Sequence, residues 1–265
     1  MASETQMSNL KVADYMTKDP ITIKSSATLP EAVSVMASKG IGNIIVVRES
    51  DNAVAGILTE REILQSLSLD RKIPSKSLAY VVSPHSYSKI APSETIYTAA
   101  KSMISNKTRL LVFHDSENDK LIGIITASDL VRAFRSTSSN PPIEDVMSKR
   151  IFDVTYKNSI LKAVRILFKR RVGSVIVKKG EKPHGIFTER DLLTRVLSSK
   201  EVEVSEEKVG DYSTSPLITA QHGIRANEAA NIMFASGIKR LPLTEDSNIV
   251  SIVTARDLVE AFQKD

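Results

Sequence analysis

A run of seven residues returns four times along this chain: GILTERE at 56–62, GIITASD at 123–129, GIFTERD at 185–191 and SIVTARD at 251–257. Its threonines, Thr59, Thr126, Thr188 and Thr254, are spaced by 67, 62 and 66 residues. Such a period is too long for a solenoid unit and suits tandem small domains. A second anchor precedes each threonine: Ala32-Val33 with Met36, Ala99-Ala100 with Met103, Ala163-Val164 with Leu167, and Ala229-Ala230 with Met233. Positions i, i+1 and i+4 share one helix face. From the first alanine to the threonine is 27 residues in copies one and two and 25 in copies three and four, so the spacing makes the chain a pair of pairs.

The stretches between the anchors complete the pattern. Short apolar runs, IGNIIVV (41–47), TRLLVF (108–113), VGSVIV (172–177) and IKRLPL (238–243), are followed by polar turn residues and then by the repeated run. Two β-rich runs across a short polar loop predict a hairpin. Helices are predicted after each threonine, and a short strand before each first helix, as in PITI (20–23) and PLIT (216–219). The fold class is therefore α+β, with four tandem β-α-β-β-α copies at 10–70, 77–136, 143–200 and 207–265. One copy of about 60 residues buries too little surface to stand alone, so pairing is expected. The Ser- and Pro-rich stretch around 137–142 reads as the linker between halves 1–136 and 142–265.

Composition narrows the function. Hydrophobic residues at 42% and charged residues at 25% are those of a globular chain. No apolar run approaches the roughly 18–20 residues of a membrane span. The opening MASETQMSNL lacks an apolar signal core, which predicts a cytoplasmic protein without a membrane partner. With no cysteine, thiolate chemistry is closed. His85, His114, His184 and His222 form no metal-spaced pair, and no phosphate-loop or nucleophile-elbow motif is present. The expectation is a protein that is not an enzyme and carries neither metal nor cofactor. A net charge of +5 favours anionic partners.

With these residues in view, the chain resembles the cystathionine-β-synthase (CBS) domain family. The carrying features are the fourfold Gly-apolar-x-Thr-x-x-Asp-like run, the openings VADYMTKDPITI and IEDVMSKRIFDV, and the strand GIGNIIVV. The layout is similar to that of the gamma subunit of AMP-activated kinase and of stand-alone archaeal CBS proteins. The resemblance implies two pseudo-twofold modules of two repeats each, packed as a flattened disk within the chain or as a homodimer. It implies clefts for adenosine-containing ligands (AMP, ADP or ATP) and control of a separate, unidentified partner protein. S-adenosylmethionine or methylthioadenosine are alternative ligands. A nucleic-acid-binding protein is the alternative class, motivated by Lys169-Arg170-Arg171 and Lys178-Lys179; no nucleic-acid motif supports it.

Two roles compete for the repeated run. Thr-x-x-Glu or Thr-x-x-Asp at a helix start is a capping box, in which the acid reaches back to the first backbone N–H. The same carboxylate could accept both hydroxyls of a ribose. On this second role Thr126 with Asp129, Thr188 with Asp191 and Thr254 with Asp257 are ribose clamps, while Thr59 with Glu62 favours capping. Ile57, Ile124, Ile186 and Ile252 would then pack on adenine, and Ser251 stands where the other copies have glycine. Arg109, Lys239 and Arg240, just before apolar strands, match the resemblance's phosphate donors. Asp14, Asp145 and Asp211, with Ile21, Phe152 and Leu217, match its adenine-pocket positions. Arg61, Arg190 and Arg256 precede the acid in three copies, against Ser128 in copy two. A cation in a helix's first turn opposes the macrodipole; solvent exposure is the first account of these arginines, and phosphate binding or contact with a partner module is the second.

Overall fold

A computed structural model describes residues 9–73, 78–79, 87–107, 110–114, 120–198 and 207–264. Arg109 lies outside the described residues. Copy one contributes β2 (Thr22–Lys24), α2 (Leu29–Lys39), β3 (Asn43–Val47), β4 (Val54–Thr59) and α3 (Glu60–Asp70), preceded by the short α1 (Val12–Tyr15) and β1 (Thr17–Lys18). Copy two follows with β5 (Ser88–Ile90), α4 (Ile96–Asn106), β6 (Leu110–Phe113), β7 (Leu121–Ile125) and α5 (Ala127–Phe134). Copy three has β8 (Asp153–Thr155), α6 (Ile160–Arg170), β9 (Ser174–Lys179), β10 (Lys182–Thr188) and α7 (Glu189–Asp191), which runs on as a π-helical turn, Leu192–Val196. Copy four begins with α8 (Val209–Tyr212), then β11 (Ala220–Gln221), α9 (Ala226–Ala235), β12 (Arg240–Glu245), β13 (Asn248–Thr254) and α10 (Ala255–Lys264). No helix among the described residues is long and apolar enough to cross a membrane.

Local chemistry accounts for the elements. In α2 the Thr28 side chain accepts from the Glu31 N–H while Glu31 reaches back to the Thr28 N–H, and Gly40 ends the helix at φ 62°. Only residues free of a Cβ penalty enter that left-handed region cheaply. Each first strand pairs in parallel with the leading strand of its antiparallel hairpin, as Thr22–Lys24 does with Ile45–Val47. Alternation then sorts the side chains. Ile44, Val46 and Leu58 enter the core under the helices, while Ile45 and Ile57 are buried on the opposite face of the sheet.

Two compact units result, and neither is a consecutive half of the chain. One gathers residues 1–20, 86–151 and 219–265; the other gathers 21–85 and 152–218. Copy two thus shares a core with copy four, and copy one with copy three. The reason is helix packing, since α10 lies against α4 and α5 in the first unit and α3 against α6 in the second. The first core contains stacked Phe134 and Phe262, their ring centroids 4.7 Å apart. The second buries Leu64, Leu67, Val164, Leu167 and Phe187.

The openings of copies one, three and four are also exchanged. β1, from the opening of copy one, pairs antiparallel with β7 of copy two. Ser148, in the opening of copy three, bridges Ile252 of copy four, and Thr214, in the opening of copy four, bridges Ile186 of copy three. Glycine in the repeated run makes this possible. A Cβ on Gly123 would stand 2.6 Å from the Met16 sulfur, and one on Gly185 would run into the Thr214 carbonyl. Copy four has Ser251 there; it is 1% exposed and its hydroxyl has no hydrogen-bond partner among the described residues. Burying a hydroxyl without a partner costs about 1–3 kcal/mol. Ser251→Ala is therefore expected to raise stability by about 1 kcal/mol in urea denaturation, and a loss of that size would show that the hydroxyl is satisfied after all.

Candidate nucleotide site

All four repeated runs end in the same local structure. The threonine caps the following helix, and its own N–H and hydroxyl donate to one oxygen of the acid three residues on. The N–H distances are 2.8 Å for Thr59 to Glu62, 2.9 Å for Thr126 to Asp129, 2.9 Å for Thr188 to Asp191 and 2.8 Å for Thr254 to Asp257. The capping role is thus fulfilled in every copy. What distinguishes the copies is the second carboxylate oxygen.

In copy three that oxygen of Asp191 accepts from the Thr214 hydroxyl at 2.7 Å and faces the Arg195 guanidinium at 3.4 Å. In copy two the second oxygen of Asp129 lies 3.5 Å from Arg132, which also donates to the Tyr15 carbonyl at 2.6 Å. Both arginines tie the box to an exchanged opening segment, since Arg195 likewise donates to the Ser213 carbonyl at 3.1 Å. In copies one and four the second oxygens of Glu62 and Asp257 have no hydrogen-bond partner among the described residues. Burial pushes the Asp257 carboxyl above its usual range, despite the opposing Thr254 hydrogen bonds and the nearby Arg256 charge. Asp257 is half-buried, and its second oxygen keeps acceptor capacity.

The repeated isoleucines sit where a flat ring could meet them. Ile57, Ile124, Ile186 and Ile252 lie on β4, β7, β10 and β13, and none belongs to the cores under the helices. Ile57 and Ile124 are buried, Ile186 and Ile252 half-buried. Ile21 and Phe152 fall with their own copies, but Asp14, Asp145, Asp211 and Leu217 do not. Asp14 and Asp145 fall in the first unit, with the boxes of copies two and four, while Ile21 and Phe152 fall in the second. Asp211 and Leu217 fall in the second unit with copy three, where Asp211 accepts a 2.6 Å hydrogen bond from Tyr156. That bond, more than burial, raises the Tyr156 hydroxyl pKa. Exchange of the openings explains the transfer of all three aspartates.

Lys239 also has a second neighbour. It lines a cavity of about 270 Å³ together with Ser128, Arg132, Phe234 and Ala255. Ser128 is in the first turn of α5 and Ala255 opens α10, so Lys239 stands beside two helix N-termini. Arg240 begins β12 opposite Thr254 in the hairpin register. Sequence reasoning missed Ser128, Arg132, Arg195, Thr214 and Tyr156, because their roles depend on segments distant in sequence.

The arginines before the acid have a structural use. Arg61 donates to the Leu167 and Phe168 carbonyls at 3.1 and 2.9 Å, at the C-terminal end of α6, and its guanidinium lies 5.4 Å from the Phe168 ring centroid. Arg256 donates to the Met103 carbonyl of α4 at 3.1 Å. Each joins the two copies of its unit by answering the negative end of a helix, whereas Arg190 makes no such bond. Arg61→Ala is expected to cost about 2 kcal/mol in thermal denaturation, from two charge-assisted hydrogen bonds at a part-exposed site. An unchanged melting temperature would remove this arginine from the list of pairing contacts.

The arrangement is that of tandem CBS domains, and the chain belongs to the CBS-domain family, which it matches over residues 12–69, 82–136, 143–198 and 209–264. Two uncharacterized Methanocaldococcus jannaschii proteins are similar to it. MJ1225 is 26% identical over 193 residues, 66% of this chain and 68% of that protein, and MJ1404 is 25% identical over 269 residues, 96% and 62%. The chain thus spans about two thirds of the length of these curated relatives. The crystal structure of MJ1225, described there as a proposed archaeal homologue of the AMP-kinase gamma subunit, superimposes with a TM-score of 0.82 at 18% identity, covering 96% of this chain and all of that one. A Pyrococcus horikoshii protein superimposes with a TM-score of 0.66 at 20% identity. These likenesses establish the fold.

Proposed function

We propose that this chain is a regulatory sensor of adenine nucleotides that controls a separate polypeptide. The observation that carries this reading is the second carboxylate oxygen of the half-buried Asp257, which has no hydrogen-bond partner among the described residues. A ribose brings two adjacent hydroxyl donors, and charge-assisted hydrogen bonds contribute roughly 1.5–3 kcal/mol each. Ile252, outside the helix-backed core, offers an apolar face for the base. For phosphate, the Lys239 cavity combines a cation, the Ser128 hydroxyl and two helix N-terminal turns, whose positive dipole ends suit an anion. The clamps of Asp129 and Asp191 already hold an internal cation and, in copy three, the Thr214 hydroxyl. A ligand there must displace them, so copy four is the favoured site.

Calorimetric titration of ligand-free protein with AMP, ADP and ATP tests the reading, with S-adenosylmethionine and methylthioadenosine as comparators. Saturating AMP at about a hundred times its dissociation constant is expected to stabilise the fold by roughly 2.7 kcal/mol per site. Heat and thermal shift from the two comparators alone would move the assignment to uncharged ribose tails. Silence from all five ligands at millimolar concentration would end the sensing reading.

A further inference from the structure

The positive charge of this chain is concentrated in one place. Between Asp153 and Glu181 there are eight Lys and Arg residues and no Asp or Glu. This stretch supplies +8 against a net charge of +5, so the rest of the chain is net −3. Its centre is α6. Ile160, Ala163, Val164 and Leu167 face the core, and Lys162, Arg165, Lys169 and Arg170 stand exposed on the other side. The spacing of three, four and one residues keeps them along one broad face of about two turns.

These cations have no acidic partner among the described residues. Lys162 donates to the Asn158 side-chain oxygen at 3.0 Å, and Arg170 lies over the Phe152 ring, 5.6 Å from its centroid. Arg165 and Lys169 make no ion pair among the described residues. Ordinary surfaces intersperse the two signs. The face is also grooved: Leu161 and Ile166 form an apolar floor between the charged stems, in a depression of about 440 Å³ that begins at Ser159.

We propose that the outer face of α6 is the docking surface for an acidic, amphipathic segment of a partner protein, with apolar side chains seated on Leu161 and Ile166 and carboxylates paired to Lys162, Arg165 and Lys169. Charge complementarity selects an anion, and the apolar floor selects among anions. A sugar-phosphate backbone has no apolar side chains to bury there, and no aromatic ring lines the groove to stack on a base. An acidic peptide with interspersed leucines satisfies both parts of the face. The inference stands on this face alone and is independent of nucleotide binding.

Fluorescence anisotropy on the whole chain tests it, using a labelled synthetic peptide of Glu-Glu-Leu repeats at low salt, with a Glu-Glu-Ser peptide and a short duplex DNA as comparators. The leucine peptide is expected to bind saturably and more tightly than either. Combined Lys162→Glu, Arg165→Glu and Lys169→Glu is expected to weaken it about tenfold or more, the sum of several exposed charge pairs. The milder Lys162→Gln, Lys169→Gln pair should weaken it less, with the melting temperature of both variants held near that of the parent. Absence of peptide binding, binding indifferent to these substitutions, or tighter binding of the duplex overturns the proposal; the last result makes the face a nucleic-acid surface.

Discussion

Replacing Asp257 by Asn is expected to lower the affinity for AMP about thirtyfold, roughly 2 kcal/mol, while the free protein stays folded. The two oxygens of this carboxylate have separate duties. One accepts from the Thr254 N–H and hydroxyl, both at 2.8 Å, and holds the start of α10. An asparagine carbonyl can keep that cap, so stability should change by no more than about 1 kcal/mol. The other oxygen, open in this structure, would become an amide NH₂ facing a diol that needs acceptors. Glu62→Gln provides the contrast, with little loss of binding expected at copy one. Equal, small losses in Asp257→Asn, Asp191→Asn and Glu62→Gln would return the four runs to helix caps.

The pH dependence has a definite sign. Because burial raises the Asp257 pKa in the folded protein, the fold takes up a proton there at a pH where the unfolded chain is still ionised. The carboxyl therefore favours folding as pH falls through its raised value and disfavours it as pH rises. Nucleotide binding runs the other way, since the ionised carboxylate is the diol acceptor. AMP affinity should fall on acidification before ordinary carboxylates titrate, at about pH 4. Both dependences should vanish in Asp257→Asn.

The second large effect concerns the core. Phe262 of copy four is fully buried and stacks on Phe134 of copy two. Phe262→Ala is expected to cost about 3–5 kcal/mol in urea denaturation, from lost burial and the cavity left behind. The stacked pair itself adds roughly 0.5–1.5 kcal/mol of that. Against the 5–15 kcal/mol of a typical domain this is a large fraction. A cost below about 1 kcal/mol would mean that the site collapses and that the pairing of copies two and four rests elsewhere.

Elements were legible in the sequence because their causes are local. Alternation placed β3 and β4, and Thr-x-x-acid marked where α3, α5, α7 and α10 begin. Partners were not legible. Nothing around Asp14 or Asp211 says that an opening segment crosses to another copy, because strand pairing depends on register and face across many residues. Spacing records only how copies resemble one another, so it does not specify that α3 and α6 meet through complementary apolar faces. The arginines before the acid carried a readable signal, a cation at the wrong end of a helix dipole. Its resolution, the far end of another helix, required the structure. Ser128 was visible as the exception among them, but its place beside Lys239 depends on how α5 and α9 meet.

The interleaving of the two units sets a schedule for synthesis. Residues 21–85 cannot complete their core until residue 218 has been made, and residues 86–151 wait for the segment that follows 219. A nascent chain that has finished its first two copies holds two half-cores, each exposing the helix faces that copies three and four will cover. Non-local contacts of this kind slow folding and leave apolar surface open meanwhile. Chains halted near residue 140 are accordingly the ones in which aggregation or chaperone capture should concentrate, rather than a self-sufficient N-terminal half.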